Sequence, residues 1–178
     1  MAMKELPLSD VYALLEPGPV VLLTTASGGK QNVMTMSWHM MVDFEPPLVA
    51  CIVGSGDYSF AALRKTKECV IAIPDAAHAE LAVKIGNCSG RDVDKFAAFA
   101  LTPHKARHVG APLLGECFAN FECRVVETRL VEKYNLFILE VVAAWVQGAW
   151  RRAKTIHHRG YGSFAVDGEI IKLKSRMR

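Results

Sequence analysis

The residues best suited to hold a ligand lie in three short polar segments, and the first is a run of seven. On an extended strand, Thr35 and Ser37 project to the same side, since successive side chains alternate. Their hydroxyls and the adjacent backbone N–H groups can bond to an amide-like or phosphate edge. The alternative is an ordinary strand whose Thr and Ser face water. The run consists of Asn32, Val33, Met34, Thr35, Met36, Ser37 and Trp38.

The second segment combines small residues with the start of a helical stretch. It runs Gly54-Ser55-Gly56-Asp57-Tyr58-Ser59-Phe60, and Arg64 and Lys65 follow it. Small residues before a helix N-terminus favour an anion site, because the first backbone N–H groups of the helix are free to donate. The alternative is a plain strand-to-helix turn in which Asp57 or Ser59 caps the helix.

The third segment, residues 86–96, is polar and contains two glycines. It reads Gly86-Asn87-Cys88-Ser89-Gly90-Arg91-Asp92-Val93-Asp94-Lys95-Phe96. Lys95 offers a positive donor and Phe96 a ring against which a ligand can stack. The alternative is a solvated loop.

Motifs for several other chemistries are absent from the sequence. It has no phosphate loop, no complete dinucleotide fingerprint and no nucleophile elbow. His104 and His108 are four residues apart, but Pro103 and Gly110 bracket them, and two histidines are too few ligands for a metal site. We therefore expect no metal centre and no catalytic set of side chains.

Composition predicts one globular domain over residues 1–178. The chain has 51% apolar and 22% charged residues, which excludes intrinsic disorder. Residues 1–149 carry 13 basic and 16 acidic side chains, whereas residues 150–178 carry 8 basic and 2 acidic ones. This balance is too mild to predict nucleic-acid binding, but the basic C-terminal segment could attract phosphates or an acidic partner.

The cysteine pattern and the hydropathy of the chain indicate its cellular compartment. The five cysteines form no C-x-x-C pair, so free thiols in a reducing compartment are the simplest interpretation. The N-terminus lacks a signal-peptide pattern, and no apolar run approaches the roughly 20 residues of a membrane span. We expect a cytoplasmic protein with no membrane contact.

The pattern of extended runs and turns predicts a mainly β fold. About eight strands and two or three short helices are joined mostly by turns, which favours an antiparallel, Greek-key-like barrel or sandwich. The almost wholly apolar run 135–146 is expected to be buried on both faces, and residues 102–114 to form a loop. Asp167-Gly168 predicts a terminal hairpin between 161–166 and 170–173. The other predicted strands are 20–25, 32–38, 48–53, 69–73 and 119–131; the helical segments are 10–15, 59–65, 76–85 and 95–100.

In this order, the three segments resemble the flavin reductase-like family of FMN-binding split barrels. The resemblance covers roughly residues 8–170. Within the family, the sequence is similar in particular to flavoredoxin and related ferric reductases. Its most specific motif is S-G-x-x-x-D-K-F, from Ser89 to Phe96, with Pro46-Pro47 and Ser59 as further matches. It implies a split β-barrel that forms a homodimer, with FMN near the subunit interface.

The resemblance also implies which residues bind the cofactor. The strand from Asn32 to Trp38 would lie along the flavin ring, and the loop and helix start at Ser55–Ser59 would hold the phosphate. Lys95 would lie near the N1–O2 edge of the flavin, where a cation favours the reduced form. The implied set, beyond the first run, comprises Gly54, Ser55, Tyr58, Ser59, Cys88, Ser89, Gly90, Asp94, Lys95 and Phe96, with His157 and Phe164 reaching over the flavin from the last hairpin.

The sequence is consistent with four functions. The first is a reductase that passes electrons from NAD(P)H through FMN to flavin, ferric iron or a redox protein. The second is a flavoredoxin-type carrier with tightly held FMN and little NAD(P)H activity. The others are a split barrel that binds haem or pyridoxal phosphate and a non-catalytic barrel that assembles with a partner. The basic segment from Arg151 to Arg178 suits an NADPH phosphate and an acidic redox partner equally well.

Overall fold

A computed structural model describes residues 18–171, 173 and 174, and its framework is a seven-stranded antiparallel sheet. The sheet order is β2-β1-β5-β8-β9-β4-β3, and two short hairpins, β6-β7 and β10-β11, lie outside it. The strands in chain order are β1 (Val21–Ser27), β2 (Lys30–Met36), β3 (His39–Phe44), β4 (Pro47–Ile52), β5 (Glu68–Pro74), β6 (Pro103–His104), β7 (Leu113–Leu114), β8 (Cys117–Glu127), β9 (Leu136–Val146), β10 (Ile156–His158) and β11 (Phe164–Val166).

Within the part of the chain that the structure describes, four short helices lie between the strands. Two of them, α1 and α2, pack against the β1–β2 hairpin, and both follow it in the sequence. The helices are α1 (Tyr58–Thr66), α2 (Ala79–Gly86), α3 (Lys95–Ala98) and α4 (Val131–Tyr134), with further single turns at Ala76–His78 and Trp150–Arg152. The mainly β, antiparallel prediction with few helices is therefore confirmed.

The sheet is curled, as the link between β2 and β3 shows. These two strands lie at opposite edges of the sheet, yet only Ser37 and Trp38 separate them in the chain. Seven flat strands spaced about 4.8 Å apart would hold their edges roughly 29 Å apart. The chain from Met36 to His39 reaches at most about 11 Å. The sheet must therefore bend round until β2 and β3 meet, without pairing, on either side of a split.

The core follows from the alternation of side chains along the strands. On β1, Leu22 belongs to one buried cluster with α2, whereas Val21 and Leu23 belong to a second cluster with α1. The second cluster lies inside the curled sheet and includes Phe137 and Leu139 of β9. Burial of these fully enclosed aliphatic and aromatic side chains contributes about 1.5–3 kcal/mol each.

Several predicted elements are corrected by the structure. The strand β3 was missed because nearly all of its residues are exposed, so its sequence shows no alternation. Residues 102–114 are not all loop, since β6 and β7 pair there. The predicted strand 119–131 ends at Glu127, and α4 follows it. On β9, the half that leads to Val146 is partly exposed, so the strand is not buried on both faces throughout.

The terminal hairpin is also placed differently. His157 pairs with Ala165, and Gly160 and Gly162, both at positive φ, form the turn. Asp167-Gly168 therefore follows the hairpin, and Ile170, Ile171 and Leu173 form no strand. The predicted helix 10–15 lies outside the described residues. Within residues 18–171, 173 and 174, the structure contains no helix with the length and apolar character of a membrane span.

Candidate functional site

A continuous groove follows β2 along the split of the sheet. It consists of two depressions of about 280 and 350 Å³, which share Met34, Thr35 and Asp57. We call it the β2 groove. The inner depression is also lined by Asn32, Gly56, Tyr58, Ser59, Gly86, Asn87, Cys88, Ser89, Gly90, Arg91 and Lys95, and the outer one by Met36, Ser37, Trp38, Ile52 and Gly54.

The polar side chains of β2 are fixed by hydrogen bonds to the two flanking helices. Asn32 donates from Nδ2 to Ser59 Oγ of α1 at 2.9 Å, and both residues are buried. Thr35 donates from Oγ1 to the carbonyl oxygen of Ala82 on α2 at 2.5 Å. A hydroxyl that donates its proton in this way keeps two acceptor sites, so Thr35 can still accept from a ligand in the groove.

The N-terminus of α1 opens toward the inner depression. Its N-cap residue, Asp57, is extended, and its carboxylate does not cap the helix. Instead, Asp57 Oδ2 accepts from the backbone N–H of Gly54 at 2.8 Å. The first N–H groups of α1 therefore lack a side-chain cap, and the positive end of the helix dipole lies beside the groove. This arrangement fits an anionic group such as a phosphate.

Lys95 brings a cation to the wall of the groove. The residue is 4% exposed, and Nζ donates to the carbonyl oxygen of Ile85, in the last turn of α2, at 2.8 Å. Burial lowers the pKa of Lys95, and the nearby Cys88 and Asp57 act in the opposite direction. An ammonium has three protons, so the bond to Ile85 leaves it able to donate to a ligand as well.

Glycine is required at position 90. A methyl group there would overlap the side-chain oxygen of Asn32 and the ring of Tyr58. The loop after α2 can therefore approach β2 and α1 closely. Arg91 ties this loop to the one before α1, because its Nη2 donates to the carbonyl oxygen of Gly56 at 2.9 Å.

Several residues that line the groove are absent from the implied cofactor-binding set, although most of them lie in the three polar segments, and Arg91 is the most important of them. It directly follows Gly90, a predicted binding residue, in the loop that the sequence identified, so a cation next to a binding residue was the available signal. Its contact with Gly56, 35 residues earlier, could not be read from the sequence. The other lining residues absent from that set are Ile52, which lies outside the three segments, and Gly56, Asp57, Gly86 and Asn87, which lie within them.

Six of the predicted cofactor-binding residues do not line this groove. The side chain of Val33 is fully buried in the core, and Ser55 is exposed in the turn before α1. Asp94 caps α3 by accepting from the backbone N–H groups of Phe96 and Ala97. Phe96 packs against the core and lines an adjoining cavity. The remaining two, His157 and Phe164, lie on the β10–β11 hairpin.

The cysteines differ in their surroundings. Cys88 is partly exposed and lines the groove, whereas the other four are buried as free thiols. Burial raises the pKa of Cys51 and that of Cys117 to about 12. These two thiols are therefore held in the unreactive protonated form.

A model of the flavin reductase like domain matches residues 14–165. The chain belongs to this family. The resemblance inferred from its three polar segments is thus confirmed.

Relatives are found among both sequences and structures. The chain is 34% identical to the uncharacterized protein YddH of Escherichia coli, covering 89% of this chain and 91% of that protein. It is 26% identical to the FMN reductase (NADH) RutF of Bradyrhizobium diazoefficiens, covering 75% and 72%. Its fold matches that of flavoredoxin from Desulfovibrio vulgaris with a TM-score of 0.85 at 22% identity, covering 97% of each chain. It also matches an FMN-binding domain of a flavin reductases-like enzyme from Shewanella baltica with a TM-score of 0.81 at 25% identity, covering 95% and 96%.

Proposed function

We propose that this chain, as a single domain, binds FMN in the β2 groove and passes electrons from NAD(P)H through it to an acceptor. The observation that carries the proposal is the convergence of three features on one groove: the polar strand β2, the N-terminus of α1 and the buried ammonium of Lys95. Membership of the flavin reductase-like family supports it. The acceptor is free flavin, ferric iron or a redox protein.

The groove residues fit the parts of FMN. The outer depression is bounded by Met34, Met36, Trp38 and Ile52, whose apolar surface suits a flat ring and excludes water from it. The N-terminus of α1 suits the phosphate. Lys95 lies in the wall of the inner depression, where its ammonium can donate to the polar edge of the ring.

Bound FMN supplies the hydride and electron transfer, and the protein binds and orients it. Thr35 and Ser37 hold the ring by hydrogen bonds, and Lys95 places a positive charge beside it. A buried cation favours the cofactor form with more negative charge, because the low local dielectric strengthens the attraction. We therefore expect Lys95 to raise the reduction potential of the bound flavin.

A flavoredoxin-type carrier is the second candidate, favoured by the surface near the C-terminus. Arg151, Arg152, Lys154 and Arg159 are all exposed there. Such a cationic surface suits docking of an acidic redox protein, since opposite charges steer association. In that case FMN would stay bound and exchange electrons with the protein partner rather than with NAD(P)H.

We also propose that the protein is a cytoplasmic homodimer that associates through β3. Met40, Met41 and Phe44 are exposed by 63%, 52% and 83% on this edge strand, and Trp38, in the link just before it, is exposed by 54%. An edge strand has one side without a paired strand, and exposed apolar side chains on it favour association with a second chain. Trp38 also lines the β2 groove, so a second copy seated on β3 would cover one end of the flavin site.

Flavin titration followed by anaerobic reduction tests the proposed function. Apoprotein titrated with FMN should develop a bound-flavin absorbance spectrum with quenched fluorescence. Prompt loss of the oxidised-flavin absorbance on anaerobic addition of NADH or NADPH supports the reductase. Retention of the absorbance with both donors, followed by its loss with dithionite, supports the carrier. Failure to bind FMN would overturn both.

A further inference from the structure

Two exposed segments meet at the open end of the β10–β11 hairpin. Thr155 donates from its backbone N and from Oγ1 to Asp167 Oδ2, at 2.7 and 2.9 Å. The residues just before β10 therefore lie beside those just after β11. The first segment is the turn 150–154, and the second comprises residues 168–171, 173 and 174. We call the two segments together the C-terminal surface.

The segment after β11 exposes large aliphatic side chains to solvent. Ile170, Ile171 and Leu173 are exposed by 82%, 68% and 78%, and no other described part of the chain covers them. Trp150, in the neighbouring turn, adds a partly exposed indole. Single exposed apolar residues are ordinary, but a group of large ones marks an interaction surface.

The same surface is rich in cations. Arg151, Arg152 and Lys154 are exposed in the turn, and Lys174 is exposed in the segment after β11. The guanidinium carbon Cζ of Arg151 lies 4.3 Å from the centre of the Trp150 ring. This cation–π contact keeps a positive charge directly beside an apolar group. Charged and apolar side chains are thus mixed on the C-terminal surface.

Nearby carboxylates offset this positive charge only in part. Residues 150–178 carry 8 basic and 2 acidic side chains, and the acidic ones are Asp167 and Glu169. The Asp167 carboxylate is occupied by Thr155, and its Oδ1 lies 3.0 Å from His157 Nε2. Asp75, which follows β5, accepts from the backbone N–H of Lys154 at 3.2 Å. The C-terminal surface therefore keeps a net positive charge.

Cations next to exposed aliphatic side chains fit an anionic lipid bilayer better than other anionic partners. Arginine and lysine are attracted to anionic headgroups, while aliphatic side chains and an indole enter the boundary between headgroups and acyl chains. An acidic protein surface would satisfy the charges but leave the aliphatic side chains in water. Single-stranded nucleic acid would need flat rings for stacking, which isoleucine and leucine do not offer.

We propose that the C-terminal surface binds the face of a bilayer that contains anionic lipids. The inference does not depend on the proposed function, because no contact in it involves the β2 groove. Binding to the face of a bilayer requires no spanning segment. The proposal therefore revises the expectation of no membrane contact, which rested on the absence of a long apolar run.

Co-sedimentation of the full chain with lipid vesicles tests the proposal. Vesicles of phosphatidylcholine with about one third phosphatidylglycerol should bind the protein at least about tenfold more strongly than phosphatidylcholine alone. Raising the salt concentration from about 0.05 M to about 0.5 M should weaken this binding at least about threefold, because the headgroup charges are screened. Equal binding to both vesicles, or binding to neither, would overturn the inference.

A double substitution, Ile170→Ser with Ile171→Ser, removes apolar surface without changing the charge. It should weaken binding to the mixed vesicles about tenfold or more, because less apolar area leaves water on binding. Val126→Ser is the matched control, since Val126 is also an exposed aliphatic residue. It lies at the end of β8, whereas the turn 150–154 follows the part of β9 that pairs with the start of β8. The control should bind like the wild type.

A second double substitution, Arg151→Ala with Arg152→Ala, removes two cations from the turn. It should weaken binding to the mixed vesicles about five- to tenfold at low salt and have little effect at high salt. Lys65→Ala with Lys133→Ala removes the same charge from exposed positions on α1 and α4 and is the control. It should weaken binding less than about twofold.

Two further outcomes would assign the surface to a protein partner instead. If only the arginine variant weakens vesicle binding, the attraction is purely electrostatic, as for an acidic protein, and the bilayer proposal fails. If the isoleucine variant changes the mass of the protein in sedimentation velocity without vesicles, the aliphatic side chains belong to a contact between subunits, and the proposal fails as well. Loss of vesicle binding in both variants, at unchanged mass, supports it.

Discussion

At the scale of single residues, the site is built from side chains that each have a second task in the fold. Thr35 holds α2 through Ala82, Asn32 holds α1 through Ser59, and Lys95 holds the last turn of α2 through Ile85. Such bonds restrict the motion of the groove side chains before a ligand binds. Less conformational entropy is therefore lost on binding.

Lys95→Met should weaken FMN binding about tenfold. The substitution keeps an unbranched side chain of similar length but removes a charged donor, and hydrogen bonds to charged groups contribute about 1.5 kcal/mol or more. The reduction potential of bound FMN should fall as well, because the buried positive charge is lost. Fluorescence titration and a spectroelectrochemical measurement would check the two effects.

The matched control for this change is Lys84→Met. Lys84 is exposed on α2 and pairs loosely with Glu80, so its loss should alter neither quantity. A folded Lys95→Met protein with wild-type affinity and potential would show that the ammonium does not contact the flavin.

At the scale of elements, Glu122 of β8 attaches the segment after β6 to the sheet. Its buried carboxylate accepts from the backbone N–H groups of Arg107 and His108 and from the indole Nε1 of Trp145. Burial alone would raise the pKa of Glu122, but these three donors outweigh it, and the pKa is lowered. The charged form is therefore the one that stabilises the fold.

Glu122→Gln should lower the free energy of unfolding by about 2 kcal/mol at neutral pH, since one donor then faces an amide N–H instead of an acceptor. Because the folded-state pKa is depressed, the stabilisation is present above the unfolded glutamate pKa of about 4.3 and is lost as pH falls through the lower folded value. Urea unfolding between pH 7 and pH 3 would measure both effects.

The exposed Glu45 supplies the control, since Glu45→Gln should leave the unfolding curve within about 0.5 kcal/mol of wild type. An equal difference between Glu122→Gln and wild type at pH 7 and pH 3 would contradict the assigned charge state.

Elements with local signals were predictable from the sequence, and those set by long-range contacts were not. The β1–β2 hairpin follows from Gly28-Gly29, which both adopt positive φ. The edge strand β3 shows no alternation of apolar and polar residues, because both of its sides are exposed.

The binding loop was likewise predictable only in part. The motif from Ser89 to Phe96 identified the loop, but its approach to Gly56 depends on folding. Asp167-Gly168 gave a false turn signal, since the Asp167 carboxylate instead accepts from Thr155 and contacts His157.

At the scale of the whole molecule, the exposed side chains of β3 form an apolar edge that the described chain itself does not cover. Met40→Glu should therefore convert a dimer to a monomer, because a charge placed in an apolar interface is desolvated without a partner. Sedimentation velocity would show the change, with the dimer dissociation constant raised about 30-fold or more.

Val166→Glu, at an exposed apolar position on β11, is the control and should leave the mass unchanged. A wild-type protein that sediments as a monomer, or a Met40→Glu protein that sediments like the wild-type dimer, would contradict association through β3.

The two-residue link between β2 and β3 has a thermodynamic consequence. Trp38 belongs at once to the wall of the groove and to the start of the exposed edge, so a ligand and a second subunit would meet the same side chain. Thermodynamic linkage then requires the two equilibria to affect each other equally. The factor by which bound flavin changes the dimer affinity is the same as the factor by which dimer formation changes the flavin affinity. The flavin content of the protein would thus vary with its own concentration, and dilution alone would shift its cofactor occupancy.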